Sequence, residues 1–418
     1  MAVSESQVVA TELERVEKKI EVLFERDPGF AGSIKKQNVS VVSAREMRAP
    51  LEIDPGGNFT YFNPDGGDLG RGSGPIWQKA VLTPVYMSLG IEYTKLAQWA
   101  TDDMRKAVQN SVRYLTATAI TEYIRQLNSQ IQGNGSGTIG TINVVATSGG
   151  VDTYTCNSDG YGVRLMRTQQ FVQVFDSTLT TNRGQGQITQ WDVENQKIQV
   201  TPAIAGATSG DLLVTAGIST PTALPGLYGV QYNDSNASTG TWLGFVRANT
   251  PQIRASNVAG GGSALSLPLA RLAVNKIGNR IGENNKLRPM AWMHPCQKQA
   301  YEEIGQLVSL IYKEPREEKL DMYFDGMQMA GAPVKTDFNW NMKRIDFIPE
   351  GVWGWAETQP IGFYTTDGRK IFEIRSASGG VSAADIFYMV SGRQSYVKNP
   401  ASIAYIDNLA IPAGYQAS

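Results

Sequence analysis

The chain's single histidine, His294, stands two positions before Cys296, one of only two cysteines, and this is its one pairing of a base with a nucleophile. A histidine beside a thiol can take its proton, and a thiolate is further stabilised at the start of a helix. Pro295 lies between them and suits a first helical turn, where the missing N–H costs nothing. The spacing therefore predicts a helix-entry hydrogen bond from His294 and a small, semi-buried Cys296 rather than an activated thiol. Cys156 is remote in sequence, so no disulfide framework is expected. One His and two Cys fall short of the three or four N/S ligands of a zinc site. We expect no metal, no cofactor and no catalytic residue, hence no enzyme.

Other constellations are weaker. Asp192, Glu194 and Asp211 offer paired carboxylates of the kind used in glycoside hydrolysis, but they sit where turns are expected. Residues 135 to 140 match G-x-G-x-x-G, yet a dinucleotide fingerprint follows a strand and opens a helix, whereas this one closes a helical segment. Neither G-x-x-x-x-G-K-[ST] nor H-E-x-x-H occurs. Lys35, Lys36, Arg45 and Arg48 form a loose basic group. With 38 Lys+Arg against 39 Asp+Glu, the chain has no basic surplus to hold nucleic acid through bulk charge. No run reaches the ~20 apolar residues of a membrane span, and the opening MAVSESQVVATELERVEKK lacks a signal-peptide core. A soluble protein made in a cytoplasm is expected, which makes the sequons at Asn38, Asn58, Asn134 and Asn236 chance matches.

Leu13, Val16, Ile20, Leu23 and Phe24 predict a short helix over 10 to 26, with Glu17, Glu21 and Glu25 as an acidic stripe. An extended arm follows to about residue 50. Residues 51 to 93 read as a long hairpin, with limbs at 58 to 62 and 76 to 93 and the glycine-rich tip PDGGDLGRGSGP. Its charges, Asp65, Asp68 and Arg71, are candidates for contact with a neighbouring subunit, as is the acidic stripe. No Gly or Pro interrupts Ile91 to Gln132, and apolar residues keep the 3 and 4 spacing from Leu96 to Ile131. This predicts a helix of about 55 Å if it starts near Thr94, or a second start at Thr101 to Asp103.

Only 13 charged residues occur from Asn134 to Ala270. Phe171 to Phe175, Gln187 to Trp191, Lys197 to Thr201 and Leu212 to Val214 read as short strands between Gly, Asn, Asp and Pro clusters. Helices are expected at Pro268 to Ile281 and Pro295 to Tyr312, with a buried strand, Met290 to Met293, between them. Alternation over Arg344 to Glu357, an Asp367-Gly368 hairpin turn, and strands at Asp385 to Val390 and Ser402 to Ile406 close the chain.

This succession resembles the tailed-bacteriophage major capsid protein, a fold shared with encapsulins and the floor of herpesvirus capsids. AWMHPCQKQAYEEI at 291 to 304 is similar to that family's central strand and helix, and Gly331-Ala332-Pro333-Val334 to its glycine-x-Pro-Val strand entry. GQITQWDVENQKIQVTP at 186 to 202, with Gly210-Asp211, resembles a β-rich insertion found in many members. The resemblance implies an α+β phage major-capsid fold in six segments. These are an N-terminal arm (1–50), an extended loop (51–93), a spine helix of the peripheral domain (94–140), peripheral strands with the insertion (141–263), an axial domain (264–376) and a return strand (377–418). It further implies self-assembly into hexamers and pentamers of an icosahedral shell enclosing double-stranded DNA. A portal and decoration proteins are implied as partners, and scaffolding is expected either from a separate protein or not to be needed, since no long scaffolding segment precedes the fold. The virion is the implied location, with assembly in the bacterial cytoplasm. The alternatives are an encapsulin-like nanocompartment and a β-rich carbohydrate-binding or carbohydrate-active protein.

Overall fold

Strand Val381–Val397, at 17 residues, is the hub of a five-stranded sheet. One edge pairs antiparallel with Val85–Thr94; the other takes Trp353–Phe363 along its C-terminal half and Phe372–Arg375 near its start. Lys35–Lys36 joins Trp353–Phe363 in parallel. The computed structural model describes residues 29–54, 56–57, 59–61, 65, 70–94, 104–156, 159–282, 288–312, 328–375 and 381–415. The helix expected over 10 to 26, with Glu17, Glu21 and Glu25, lies outside the described residues, as does Asp68.

The long helix is Met104–Gln130, 27 residues and about 40 Å. Thr94 ends a strand, so the helix does not start at Thr94, the start that the 55 Å reading assumed. Ala119, Ile120, Tyr123, Ile124, Leu127 and Ile131 recur at helical spacing and are buried. The Tyr123 hydroxyl meets Ser391 Oγ of the hub strand at 2.5 Å, fixing the helix to the sheet.

The hairpin also differs from expectation. Its limbs are Glu46–Asp54 and Ile76–Leu82, flanked by Ser40–Ser43 as a third strand. The return limb breaks at Thr83 and Pro84, because proline has no N–H for a ladder, and Val85–Thr94 crosses into the five-stranded sheet. Met47, Ala49, Leu51, Ala80 and Leu82 on one face are buried in the main core with Trp242 and Leu243. The Val81 N–H donates to the Leu243 carbonyl at 3.0 Å. The hairpin root therefore buries one apolar face within its own chain.

The low-charge region contains a closed six-stranded barrel spanning Thr138 to Thr215, with its own apolar core around Tyr154, Val172, Ile188 and Ile198. The expected strands at Phe171–Phe175 and Lys197–Thr201 have the expected bounds. Barrel ends meet, since Val214 pairs with Thr138. The glycine cluster after the long helix makes the tight passage into the barrel, with Gly135 at φ +92° and Gly137 at φ +76°, where L side chains are strained.

A six-stranded sheet carries the remaining core, in the order Ser256–Ala259, Ala404–Asp407, Ile345–Pro349, Pro289–Met293, Ala332–Thr336 and Gln328–Met329. Helices Leu267–Ile281 and Pro295–Tyr312 belong to this part of the chain, and Ala270, Ala273 and Ile277 of the first join its core. The sheet thus takes strands from both sides of the 264 to 376 segment. Asp367 (φ 51°) and Gly368 (φ 75°) form the expected tight turn, closed by a Thr366–Arg369 bridge. The flanking strands, however, pair with the hub strand rather than with each other.

Candidate assembly surface

Seven of the fifteen large apolar side chains exposed among the described residues lie between residues 41 and 81: Val41, Val42, Phe59, Tyr61, Ile76, Trp77 and Val81. Strand alternation puts Trp77 and Val81 opposite to the buried Ala80 and Leu82. The outer face therefore presents Trp77 and Val81 among the polar Arg48 and Lys79, while the inner face is the buried one. Toward the tip, Phe59 and Tyr61 are 86% and 94% exposed and touch edge to face at 5.5 Å.

The loop at the tip has a closed base. The Gly57 N–H donates to the Ser73 carbonyl at 2.8 Å. A Cβ on Gly56 would stand 2.6 Å from the Gly74 backbone, so glycine permits this approach. Asp65 and Arg71 are exposed on the loop above. Asp65 and Arg71 thus sit on the same loop as the exposed aromatic side chains of Phe59 and Tyr61.

The arm enters through a fixed anchor. Phe30 packs edge-on against Trp292, Trp340 and Trp353 at 5.1, 5.1 and 5.0 Å. Its N–H donates to Asp337 Oδ2 at 2.9 Å, and Asn128 Nδ2 of the long helix donates to the same oxygen at 2.8 Å. The Ala31 N–H donates to Asn128 Oδ1 at 3.1 Å. From this anchor the chain runs along Trp353–Phe363 and out to Ser40–Ser43, whose four residues are all exposed.

No family profile and no curated protein matches the chain. Among solved structures, it is similar to the cyanophage A-1(L) capsid asymmetric unit, at 13% identity and TM-score 0.49, over 90% of each chain. It is similar to the capsid of a native GTA particle at 9% identity and TM-score 0.44, over 92% of this chain and 90% of that one. It is also similar to the holo-SrpI encapsulin complex from Synechococcus elongatus at 8% identity and TM-score 0.36, over 82% and 80%. The likeness is to capsid and encapsulin chains. The family resemblance read in the sequence is to the same group of proteins.

The residues that offered chemistry are held in structural roles. His294 Nδ1 accepts the Cys296 N–H at 3.1 Å, which is the helix-entry bond expected. Burial, then the nearby Arg164 charge, depress its pKa to about 3, so it stays neutral. Burial pushes the Cys296 thiol up to about 11, the opposite of activation. Asp211 takes Arg183 Nε at 2.7 Å and the Thr208 N–H at 2.7 Å; Asp192 accepts the Asn195 N–H at 3.1 Å. Asp192 is thus engaged within its own turn, and Asp211 ties its turn to strand Asn182–Asp192. Lys36 of the basic group pairs with Glu357 at 2.9 Å, and Glu357 in turn with the buried Arg393 at 2.9 Å.

A further charged cluster is buried around Asp346. The Arg344 guanidinium grips Asp346 at 2.6 to 3.0 Å and lies 4.0 Å over the Tyr405 ring. Trp340 Nε1 donates to Asp346 Oδ2 at 3.0 Å. Asp234 is wholly buried nearby; burial first, then the Asp346 charge, hold its carboxyl well above the usual range. The Arg-x-Asp spacing at 344 to 346 was the available signal, but an i, i+2 pair on a buried strand resembles a surface pair in sequence.

Proposed function

We propose that this chain is the major capsid protein of a tailed bacteriophage, assembling as hexamers and pentamers into an icosahedral shell around double-stranded DNA. The seven exposed apolar side chains of the hairpin and arm, Val41 to Val81, carry the reading. Large apolar side chains concentrated on one exposed stretch of chain point to an interaction surface. Burying seven such side chains against a neighbour yields on the order of 10 to 20 kcal/mol gross, enough to offset about 4 to 15 kcal/mol of lost rigid-body freedom. Because the hairpin root is anchored in the chain's own core, the projecting face is already positioned to bind. Asp65 and Arg71 at the tip then select register through charge pairing with the neighbour.

A net charge of -1 suits a wall that encloses DNA through weak, non-specific contact. A portal, decoration proteins and a separate scaffolding protein are the further partners of such a shell, which would reside in the virion after assembly in the bacterial cytoplasm. Among the described residues no helix is long and apolar enough to cross a membrane.

Sedimentation of a Phe59→Ser, Tyr61→Ser, Trp77→Ser variant tests the reading. The expected result is loss of large particles with unchanged circular dichroism; particles identical to those of the parent chain would count against it. Shells carrying a protein cargo and no nucleic acid would shift the reading to a nanocompartment.

A further inference from the structure

Helix Leu267–Ile281 runs beside the segment 251 to 257, and between them lies a cavity of about 270 Å³. Its lining includes Arg254, Lys276, Arg280, Ser256, Asn257 and Asn236. Lys276 and Arg280 stand at i and i+4, on one face of the helix, a like-charge spacing that is unfavourable by itself. Arg254 faces them from the other wall. Burial, then the Arg254 charge, lower the pKa of Arg280.

Among the described residues, none of these three cations has a carboxylate within ion-pair distance. Backbone carbonyls hold them instead. Arg254 Nε donates to the Arg247 carbonyl at 2.9 Å, joined there by Nη2. Arg280 Nη2 donates to the Pro251 carbonyl at 2.7 Å, while its Nη1 bonds the Arg254 carbonyl. Lys276 Nζ donates to the Asn257 carbonyl at 2.5 Å. Asn257 Nδ2 is turned to Asp407 Oδ2 at 2.9 Å.

Carbonyl dipoles orient the cations without neutralising them. Among the described residues, Arg254 Nη1, Arg280 Nε and two Lys276 N–H groups retain donor capacity. The cavity has room for a tetrahedral anion and attendant waters. We propose that it binds an oxyanion of phosphate type, either free inorganic phosphate or a phosphodiester group of a nucleic acid. Arginine forks match phosphate oxygens in pairs, and the lysine adds a point charge. The site is complete within one chain, so it stands apart from the shell reading.

Calorimetry with inorganic phosphate on the full-length, unassembled chain tests this, with ionic strength held constant by chloride. Saturable single-site binding is expected. A Lys276→Gln, Arg280→Gln variant should weaken it by about tenfold or more, as loss of charge-assisted hydrogen bonds implies. Arg280→Lys should retain part of the affinity, and Arg271→Gln, on the same helix outside the cavity, all of it. A short DNA oligonucleotide that displaces phosphate from the parent chain identifies the phosphodiester as the ligand; binding of phosphate undisturbed by DNA identifies the free ion. Absence of saturable phosphate binding, or equal binding by the folded double variant, overturns the proposal.

Discussion

Removing the Arg344 guanidinium would leave the Asp346 carboxylate buried without its cation. Arg344→Met should therefore lose about 3 to 5 kcal/mol, measurable by urea unfolding, since breaking a buried pair costs more than the pair is worth. A loss below about 1 kcal/mol would mean that water reaches Asp346. Asp234 makes the opposite case. Its raised pKa means that the folded state keeps a proton which the unfolded chain releases above the ordinary carboxylate range. The stability it contributes is complete below that range and is lost as pH rises through the folded value. Asp234→Asn should remove that loss, leaving a flatter stability profile on the alkaline side. His294 has the reverse sign, because its folded pKa of about 3 lies below the unfolded 6.5. The unfolded chain takes up the proton first, so stability is complete above pH 6.5 and falls toward pH 3, by up to about 1.4 kcal/mol per pH unit. It is the only histidine. His294→Gln should thus flatten the profile just below pH 6.5; an unchanged slope there would show that the imidazole is solvated in the folded state.

Elements with a clean period and small tertiary demands were legible in the sequence. Pro295–Tyr312, Phe171–Phe175 and Lys197–Thr201 have the bounds their patterns predicted. The hub strand Val381–Val397 was read only from Asp385 to Val390, because Ser391-Gly392-Arg393-Gln394-Ser395 looks like a loop. Tertiary partners explain why it is not one. Gln394 Nε2 donates to the Thr83 carbonyl at 3.0 Å, its Oε1 accepts the Tyr228 N–H at 2.7 Å, and Arg393 is paired with Glu357. Likewise, periodicity shows that the 76 to 82 strand alternates, but not which face the rest of the chain covers, so Trp77 and Val81 were not singled out. The arm depends most on one residue. Phe30→Ala should cost about 3 to 5 kcal/mol and expose residues 29 to 45 to protease before the rest of the chain, seen as an early cleavage near the anchor. Cleavage no earlier than in the parent would place the anchor elsewhere, in the pairing of Lys35–Lys36.

At the scale of the molecule, three apolar cores hold the described residues together, while seven large apolar side chains of the hairpin and arm stay exposed. The tip charges belong to this scale too. Arg71→Ala should leave thermal unfolding within about 0.5 kcal/mol of the parent, as for exposed sites generally, and slow particle formation followed by light scattering. The most direct measurement is cryo-electron microscopy of the purified full-length protein. Closed shells in which the 46 to 82 hairpin lies across a neighbouring subunit, with Phe59, Tyr61 and Trp77 buried there, are the predicted result. A uniform population of monomers across concentration, or shells whose hairpins stand free in solvent, would contradict it.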